Sequence, residues 1–355
     1  MYRHFKHPIN GDVYEILHEA ISSSNLSEQI VYKSLQTGKV WIRSKAEFFD
    51  IMEPEKPRFM LIKVDNNFDY QYLKAISHIL TNGRDKSDRT GVGTRSITSY
   101  TFDVDISNSF PLLTVKKTFS KSIFAELIWF LKGSTYTKNL DTTIWDANSS
   151  CHFLRHRRLT YKEGYIGPAY GYQWRGKSHI PDELQWSDDT CEYDTESQPG
   201  IDQIQYIIDE INNNPDSRRI LMSNWDKNNI KNMALPPCHV LFQVIVRDEY
   251  LDGIMYQRSA DMFLGVPFNV ASYSALLYIL AKVTNHKPGR LVVHFGDMHI
   301  YSNHIEKSKK LLDGVVYDSP TLELSDDLNI NNLSLDDFKL INYKSGPYIK
   351  ADMAV

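Results

Sequence analysis

The spacing of apolar and polar residues differs between the two ends of the chain. Over the first sixty or so residues, apolar positions alternate with polar ones in short segments that are rich in β-branched and aromatic side chains. The dipeptides Asn10-Gly11 and Thr37-Gly38 supply turns between these segments. This pattern predicts a small β-rich barrel or sandwich, with strands over residues 13–17, 29–34 and 39–43.

After this region, apolar residues recur at regular spacing over longer segments. Apolar side chains at helical spacing predict helices over residues 71–80, 119–131, 201–211 and 273–283. Strand-like alternation predicts strands over residues 99–106, 220–225, 240–246 and 291–295. The larger part of the chain is therefore predicted to contain both helices and strands.

A polar segment separates the two regions. Residues 63–67 are polar and charged, which is typical of a linker. We therefore expect a small domain of unknown function over residues 1–65 and a larger domain over residues 66–355. Residues 176–200 are polar and acidic, and they are predicted to form a surface loop of no evident role.

Composition and charge narrow the function. The chain has 355 residues, 42% of them hydrophobic, which is enough for a sizeable core. A net charge of -4 gives no overall basic field, so nucleic-acid binding by the whole chain is not expected. The three cysteines have no metal-ligand spacing, no N-terminal run resembles a signal peptide, and no apolar run reaches the roughly 18 residues that span a bilayer. We expect a cytoplasmic protein without a metal or a membrane partner.

One cysteine stands in an unusual setting. Cys238 follows Pro236-Pro237 and precedes the strand predicted over 240–246, so the thiol is expected at the entrance of that strand. A lone cysteine is more often a small buried hydrophobe than a nucleophile. The polar residues that interrupt the next apolar stretch favour a ligand site, because buried polar groups need partners, and Arg258 would stabilise a thiolate. These residues are Gln257, Arg258, Ser259, Asp261, Gly265 and Asn269.

A second candidate lies in the most apolar predicted helix. Glu126 stands between Ala125 and Leu127, where a carboxylate either faces a polar cavity or has a raised pKa. Both outcomes suit acid–base chemistry. A surface salt bridge to Lys121 or Lys132 is the alternative.

Long blocks of the sequence resemble a known family. The segments PPCH, YQRSADMFLGVPFN and GDMHIYSNHIE resemble the thymidylate synthase signature, and the resemblance extends over residues 70–355. The segments YRHFKHPINGDVYEIL and IVYKSLQTGKVWIRSKAEFFD resemble a small bacterial domain of unknown function. The first resemblance implies the thymidylate synthase fold, which is an α+β fold with a large mixed β-sheet at a dimer interface and surrounding helices.

The resemblance also implies roles for individual residues. The catalytic set is Cys238, Glu126, Tyr170, Asn269, Arg258 and His239. The set for the nucleotide is Arg89, Arg218, Arg219, Gln257, Arg258, Ser259, Asp261, Asn269, His299 and Tyr301, with His299 and Tyr301 on a sugar hydroxyl. The set for the folate is Lys116, Trp145, Asn148, Asp261, Leu264, Gly265, Phe268 and Val355. Arg218 and Arg219 would enter the site of a partner subunit, which implies a homodimer.

The implied chemistry is addition of a thiolate to a uracil ring. Carbon C5 of uracil is a poor nucleophile, so Cys238 would add at C6 to form an enolate, and donors must meet the charge on O4. Asn269 can accept from N3–H and donate to O4, which suits uracil. The expected reaction converts dUMP to dTMP with 5,10-methylenetetrahydrofolate as co-substrate.

Two other functions stay open at this stage. If water rather than hydride ends the reaction, the product is 5-hydroxymethyl-dUMP, and the protein is a dUMP hydroxymethylase. A binding protein without activity is the third possibility, although Cys238, Glu126 and Asn269 are all present. The histidines His294 and His304 accompany His299 but have no carboxylate at a fitting spacing, so no metal is expected. A bacterial cytosol or the cytoplasm of a virus-infected cell is the expected location.

Overall fold

The computed structural model describes residues 2–4, 13–34, 39–53, 56–61, 67–176 and 200–354. The predicted linker and the segment 176–200 fall almost wholly outside these ranges, and so does Val355. The boundary between the two predicted domains therefore stays a prediction.

The N-terminal region is β-rich, as the sequence pattern predicts. Among its described residues, five strands form a sheet in the order β4-β3-β2-β1-β7, and every neighbouring pair is antiparallel. A small core of Ile30, Tyr32, Phe48 and Phe59 lies against one face, with the rings of Phe48 and Phe59 stacked at 4.3 Å. The elements are β1 (Tyr2–His4), β2 (Val13–Ile21), β3 (Glu28–Ser34), β4 (Val40–Ser44), α1 (Lys45–Phe48), β5 (Ile51–Glu53), β6 (Lys56–Pro57) and β7 (Phe59–Leu61).

The larger region combines a mixed sheet with helices, which confirms the α+β prediction. Its strands are β8 (Arg84–Lys86), β9 (Thr94–Asp105), β10 (Leu221–Ser223), β11 (His239–Arg247), β12 (Tyr250–Asp261), β13 (Lys287–Tyr301), β14 (Thr321–Leu324) and β15 (Phe338–Ile341). Its helices are α2 (Asn67–Asn82), α3 (Ser120–Leu131), α4 (Cys151–His156), α5 (Gly171–Arg175), α6 (Gln203–Asn213), α7 (Gly265–Val283) and α8 (Ile305–Leu311).

Six strands of this region form one sheet, in the order β10-β11-β12-β13-β9-β8. Strands β12 and β13 are parallel, whereas the other neighbours are antiparallel. The parallel pair needs a crossover connection, and α7 supplies it. The start of β11 and the ends of β12 and β13 consequently meet at one end of the sheet, where His239 pairs with Gln257 and Asp261 pairs with His299.

Several predicted elements are too short or displaced. Helix α7 begins at Gly265 rather than at 273, and β13 runs from Lys287 to Tyr301 rather than over 291–295. At the start of α7 and at the end of β13, polar residues interrupt the apolar pattern and hide the true end of the element. Strand β10 covers only Leu221–Ser223 rather than 220–225, and Arg218 and Arg219 lie in the turn before it.

Helix α7 also corrects an expectation about apolar runs. By length and composition it could cross a membrane, so the expectation that no such segment exists is wrong. However, 72% of its apolar window is buried inside the fold. Residues on every side of the helix contact other elements, which is the pattern of a core helix.

Candidate active site

A pocket of about 610 Å³ opens at the end of the sheet where β11, β12 and β13 meet. It is lined by most of the residues that the sequence singled out. These are Arg89, Glu126, Trp145, Asn148, Tyr170, Cys238, His239, Gln257, Arg258, Ser259, Asp261, Gly265, Asn269, His299 and Tyr301. The structure therefore brings together side chains that are separated by more than 200 positions along the chain.

Cys238 lies at the entrance of β11, as the Pro-Pro turn predicts. Its thiol is half-buried and lines the pocket. Its backbone N–H donates to the Tyr170 hydroxyl at 2.8 Å, and its carbonyl accepts from the Arg258 backbone N–H at 2.9 Å. Burial raises the pKa of the thiol, while the nearby guanidinium of Arg258 acts in the opposite direction. The cysteine is thus held rigidly through its backbone and is free to react through its side chain.

Arg258 is fixed beside this thiol by main-chain carbonyls. Its Nε donates to the Pro237 carbonyl at 2.7 Å and its Nη2 donates to the Pro236 carbonyl at 2.8 Å. The same Nη2 is 4.0 Å from Cys238 Sγ, and the guanidinium lies over the ring of Trp225. Neither proline nitrogen is a donor, so the turn presents acceptors to the arginine. The remaining guanidinium N–H groups are available to an anion in the pocket.

Three polar side chains form a buried network next to the cysteine. Asn269 Oδ1 accepts from Gln257 Nε2 at 2.9 Å, and Asn269 Nδ2 is 2.9 Å from His239 Nε2. Because the amide N–H donates, His239 Nε2 is an acceptor, and its ring is neutral. Burial lowers the pKa of His239 to about 3, with Arg258 adding to the effect. The amide of Asn269 keeps one N–H and one oxygen lone pair for a ligand.

Two atoms of this network have no partner among the described residues. Gln257 Oε1 and His239 Nδ1 are buried and make no hydrogen bond there. Most buried polar atoms in proteins are paired. An oxygen acceptor and a ring nitrogen left over beside a pocket are therefore the groups expected where a polar ligand or water completes the site.

Glu126 is buried rather than part of a surface salt bridge. Its Oε1 accepts from Trp145 Nε1 at 2.6 Å, whereas Lys121 is 3.8 Å from Asp141 on the surface. Burial raises the pKa of Glu126 to about 7, and the hydrogen bond from Trp145 opposes the rise. A carboxyl group with this pKa gains and loses a proton near neutral pH, which suits acid–base catalysis.

Tyr170 occupies strained backbone. Its φ of 30° and ψ of -87° lie in a region that residues with a side chain rarely adopt. Its ring stacks on Phe130 at 4.8 Å, and its hydroxyl accepts from the Cys238 backbone. Gly167 and Gly171 on either side pack against backbone at distances that leave no room for a Cβ. The chain is forced into this turn, which carries the hydroxyl to the cysteine.

A short loop brings Arg89 to the pocket. Asp88 accepts from the backbone N–H groups of Thr90 and Gly93 and from the Thr90 hydroxyl, so the loop is closed on itself. Gly93 has a positive φ of 81°. Arg89 is exposed, with its guanidinium over the ring of Phe153, and it faces the pocket with Arg258. The pocket therefore has two arginines that can bind an anion.

The end of the described chain lies across the pocket. Met353 and Ala354 line it, and the Asn148 amide is 3.8 Å from the Met353 sulfur. Buried His304 lies 2.9 Å from the carbonyl of Asp352, which fixes the tail to the start of α8. The predicted role of Val355 concerns a residue outside the described part of the chain.

Some predicted site residues lie elsewhere. Lys116 is buried with its Nζ 4.7 Å from the Phe263 ring, and its pKa is lowered to about 8 by burial. Leu264 and Phe268 pack against the core. None of these three lines the pocket, and neither Arg218 nor Arg219 does so within its own chain; Arg219 lines a separate concavity of about 590 Å³. Their roles in ligand binding stay predictions.

Other lining residues escaped the sequence analysis. They are Lys86, Ser87, Asp88, Thr90, Thr94, Leu235, Asp297, Met353 and Ala354. Asp297 and His299 are two apart in β13, a spacing that puts both on one face of a strand. That spacing was a signal that could have identified Asp297.

The pocket thus combines a cysteine beside an arginine, a neutral amide network and a carboxyl group that titrates near neutrality. This combination can bind an anionic, amide-bearing ring and add a thiol to it. Among the described residues, no group of three His, Cys, Asp or Glu side chains is arranged to hold a metal ion. These features are those of a protein that uses a cysteine to act on an anionic heterocyclic ligand.

Comparisons with known proteins give the family. A family model described as thymidylate synthase matches residues 70–355, and one described as a protein of unknown function (DUF1653) matches residues 1–61. The chain belongs to the thymidylate synthase family and carries an additional N-terminal domain. Both resemblances noted in the sequence are confirmed.

Three relatives illustrate the similarity. The chain is 43% identical to a thymidylate synthase of Human herpesvirus 8 type P (isolate GK18), over 81% of the chain and 84% of the relative. It is 43% identical to a bifunctional dihydrofolate reductase-thymidylate synthase of Paramecium tetraurelia, over 80% of the chain and 61% of the relative. It is 42% identical to a bifunctional dihydrofolate reductase-thymidylate synthase of Plasmodium berghei (strain Anka), over 82% of the chain and 49% of the relative. The match thus spans 61% and 49% of these two bifunctional relatives.

Proposed function

We propose that this protein methylates dUMP to dTMP, with 5,10-methylenetetrahydrofolate as co-substrate and dihydrofolate as the second product. The observation that carries the proposal is the position of the Cys238 thiol. It is 4.0 Å from the guanidinium of Arg258, and it lines one pocket with the Asn269–His239–Gln257 network and Glu126. Each chemical requirement of thiol addition to uracil has a candidate group within this pocket.

The thiol must lose its proton to add to the ring. Burial raises its pKa, so the reactive form has to be favoured by positive charge, and Arg258 is the cation that contacts it. Arg258 and Arg89 would bind the phosphate of dUMP and seat the ring against the thiol. In the addition, a bond forms between Cys238 Sγ and C6, and the electron pair of the C5–C6 double bond moves towards O4.

Asn269 would recognise the uracil edge. The free lone pair of its Oδ1 would accept from N3–H, and its second Nδ2–H would donate to O4. Gln257 and neutral His239 hold the amide in this orientation. Glu126 would exchange protons with the ring through water, since its pKa of about 7 lets it act both as an acid and as a base.

The side chains beyond the uracil position fit a folate. Trp145 supplies a largely buried aromatic surface, Asn148 supplies an amide, and Gly265 leaves the pocket wall open to a ring. Asp261, which lines the same wall, would accept from the N–H groups of a pterin. When bound, the folate supplies a one-carbon unit and then a hydride. Trp145 and the tail at Met353 would keep water out during that time.

We propose further that the protein is a homodimer. Arg218 and Arg219 are exposed and do not line the pocket of their own chain. Tyr256 and Ile245 are 42% exposed on strands of the large sheet, so a partly apolar sheet face is open in the single chain. A two-fold partner on that face would cover it and deliver the two arginines to the partner's phosphate site.

A cytoplasmic location is part of the same proposal. Cys151 and Cys238 are both free thiols. A nucleophilic thiol stays reduced in a reducing compartment. Fractionation of the source cell or infected host cell, with immunodetection of the chain, should find it in the soluble fraction; recovery with membranes or in the medium would contradict this part.

The product decides between the two reactions that a C6 adduct allows. We expect dihydrofolate to form in step with the consumption of dUMP, with dTMP as the product by mass spectrometry. The relatives above are named as thymidylate synthases, so they do not favour the hydroxymethylase alternative. Consumption of dUMP with 5-hydroxymethyl-dUMP and tetrahydrofolate as products would overturn the proposal. Absence of any turnover by protein that binds dUMP would do so as well.

A further inference from the structure

Three charged or ionisable side chains form a chain along one wall of the pocket. His299 Nδ1 is 2.9 Å from Asp297 Oδ1, and Lys86 of β8 makes an ion pair with Asp297 Oδ2. Tyr301 continues the row on the same face of β13. His299 is buried, whereas Asp297 and Lys86 are partly exposed, and all of them line the pocket.

The contact with Asp297 settles which ring nitrogen of His299 carries the proton. A carboxylate only accepts hydrogen bonds, and the ion pair with Lys86 keeps Asp297 in that form. When the ring carries a single proton, that proton must therefore be on Nδ1, and Nε2 is the unprotonated nitrogen. No described residue is hydrogen-bonded to His299 Nε2. A ligand group that meets this nitrogen has to donate a hydrogen bond to it.

We propose that Asp297 and Lys86 are positioning residues that fix the tautomer of His299, so that the site selects a sugar carrying a hydroxyl donor. This inference rests on the proposed function, in which the ligand is dUMP, whose one free sugar hydroxyl is at the 3′ position. That hydroxyl donates to His299 Nε2, and Tyr301 donates to its oxygen. A ligand with only an acceptor at this position places its lone pair against the lone pair of Nε2, and no hydrogen bond forms.

The affinities for dUMP and for an analogue without the 3′-hydroxyl should differ measurably. Wild-type protein should bind dUMP at least about tenfold more tightly than 3′-deoxy-3′-fluoro-dUMP, because a fluorine cannot donate and His299 Nε2 stays unpaired against the bound sugar. In Asp297→Ala the Nε2–H tautomer becomes accessible, so the discrimination should fall to about threefold or less, and the KM for dUMP should rise about tenfold with kcat largely retained. Lys86→Met should show a smaller loss in the same direction.

Matched variants separate positioning from direct contact and from misfolding. Asp103→Ala removes a carboxylate that is paired with Arg290 on the same sheet outside the pocket, and it should leave the discrimination unchanged. Asp297→Asn keeps an acceptor oxygen and should retain part of the discrimination. In a His299→Phe background, Asp297→Ala should add less than about a twofold change, because the two residues act through one contact.

A spectroscopic measurement tests the same point without turnover. The ¹⁵N shifts of His299 in the free protein at pH 8 should report a protonated Nδ1 in the wild type and a mixture of tautomers in Asp297→Ala. A wild-type ring protonated at Nε2 would overturn the inference, as would undiminished discrimination in Asp297→Ala or an equal loss in the His299→Phe background. If dUMP binds with this discrimination but dTMP is not formed, the proposed function fails and the inference stands.

Discussion

One buried carboxyl group, that of Glu126, should make a contribution to stability that decreases as pH rises from about 4.5 to 7. Buried His239, whose pKa is lowered to about 3, contributes in the opposite direction over part of this window, so the contribution of Glu126 is measured as a difference between variants. Glu126 is buried among apolar side chains, and its pKa is raised from the ordinary 4.5 to about 7. Between these values the folded state holds a proton that the unfolded state has released. The contribution of Glu126 to the free energy of unfolding therefore falls with pH through this window and levels off above 7.

Replacing Glu126 with glutamine removes this dependence. The rise from 4.5 to about 7 corresponds to about 3 kcal/mol, since each tenfold change in proton affinity is worth about 1.4 kcal/mol. Most of this loss of stability, which comes from burying the ionised carboxylate, is absent at pH 5 and present at pH 8. The free energy of unfolding of Glu126→Gln relative to wild type should thus be about 2 to 3 kcal/mol more favourable at pH 8 than at pH 5.

Denaturant unfolding at the two pH values, at one fixed protein concentration, measures the difference. Glu323→Gln is the control, because Glu323 is an exposed carboxylate paired with Lys339 on the surface and loses little hydration on folding. If Glu126→Gln changes stability equally at pH 5 and pH 8, the carboxyl group has no raised pKa, and our account of how it exchanges protons at neutral pH is wrong.

The indole of Trp145 provides an independent check of the same group. Its N–H donates to the Glu126 carboxylate at 2.6 Å, and a hydrogen bond to a charged group contributes about 1.5 to 3 kcal/mol. Trp145→Phe should therefore move the pKa of Glu126 upwards by about one or two. The pH at which the stability difference between Glu126 and its Gln variant levels off should move with it. Trp129→Phe removes an indole that donates to the Tyr136 carbonyl instead, and it should not move that pH.

Three further predictions concern the nucleophile, the partner subunit and the N-terminal domain. Cys238→Ala should abolish turnover while the Kd for dUMP stays within about tenfold of wild type, and Cys151→Ala should remain active; substantial activity in the first variant would exclude thiol addition. Equal mixtures of inactive Cys238→Ala and Arg218→Ala subunits should recover about a quarter of wild-type activity after exchange, because half of the dimers gain one complete site. No recovery after verified exchange would contradict a shared site. A chain that begins near Asp65 should fold, dimerise and turn over dUMP with little loss, whereas loss of dimers or a strong rise in KM would make the N-terminal domain part of the interface or the site.

The contact between the two regions agrees with that last expectation. Glu15 of β2 pairs with Lys74 of α2 at 3.0 Å, and both side chains are partly exposed. A surface ion pair of this kind contributes between zero and about 1 kcal/mol. This contact by itself gives the larger domain little reason to depend on the smaller one.

Local sequence determined much of the fold and the identity of the reactive group. The Pro-Pro turn followed by alternating apolar residues placed Cys238 at the start of a strand, and the apolar run around Glu126 indicated a buried carboxylate. Both follow from rules that act over a few residues, namely the restricted φ of proline and the cost of burying charge. The helical spacing of apolar residues likewise predicted a helix over 201–211, and α6 ends within two residues of the expected position.

Only the tertiary structure decided which distant side chains meet. Lys86 and Asp297 are separated by 211 positions, and their ion pair exists because β8 and β13 flank the same strand, β9. Lys116 is buried beside Phe263, although the residues next to Lys116 in the sequence do not indicate that it is buried. The ends of β13 and α7 were hidden because polar residues there contact the pocket rather than solvent. Alternation and periodicity report whether a side chain faces water or the core, and they carry no information about a ligand pocket, where polar groups are buried against each other across the sheet.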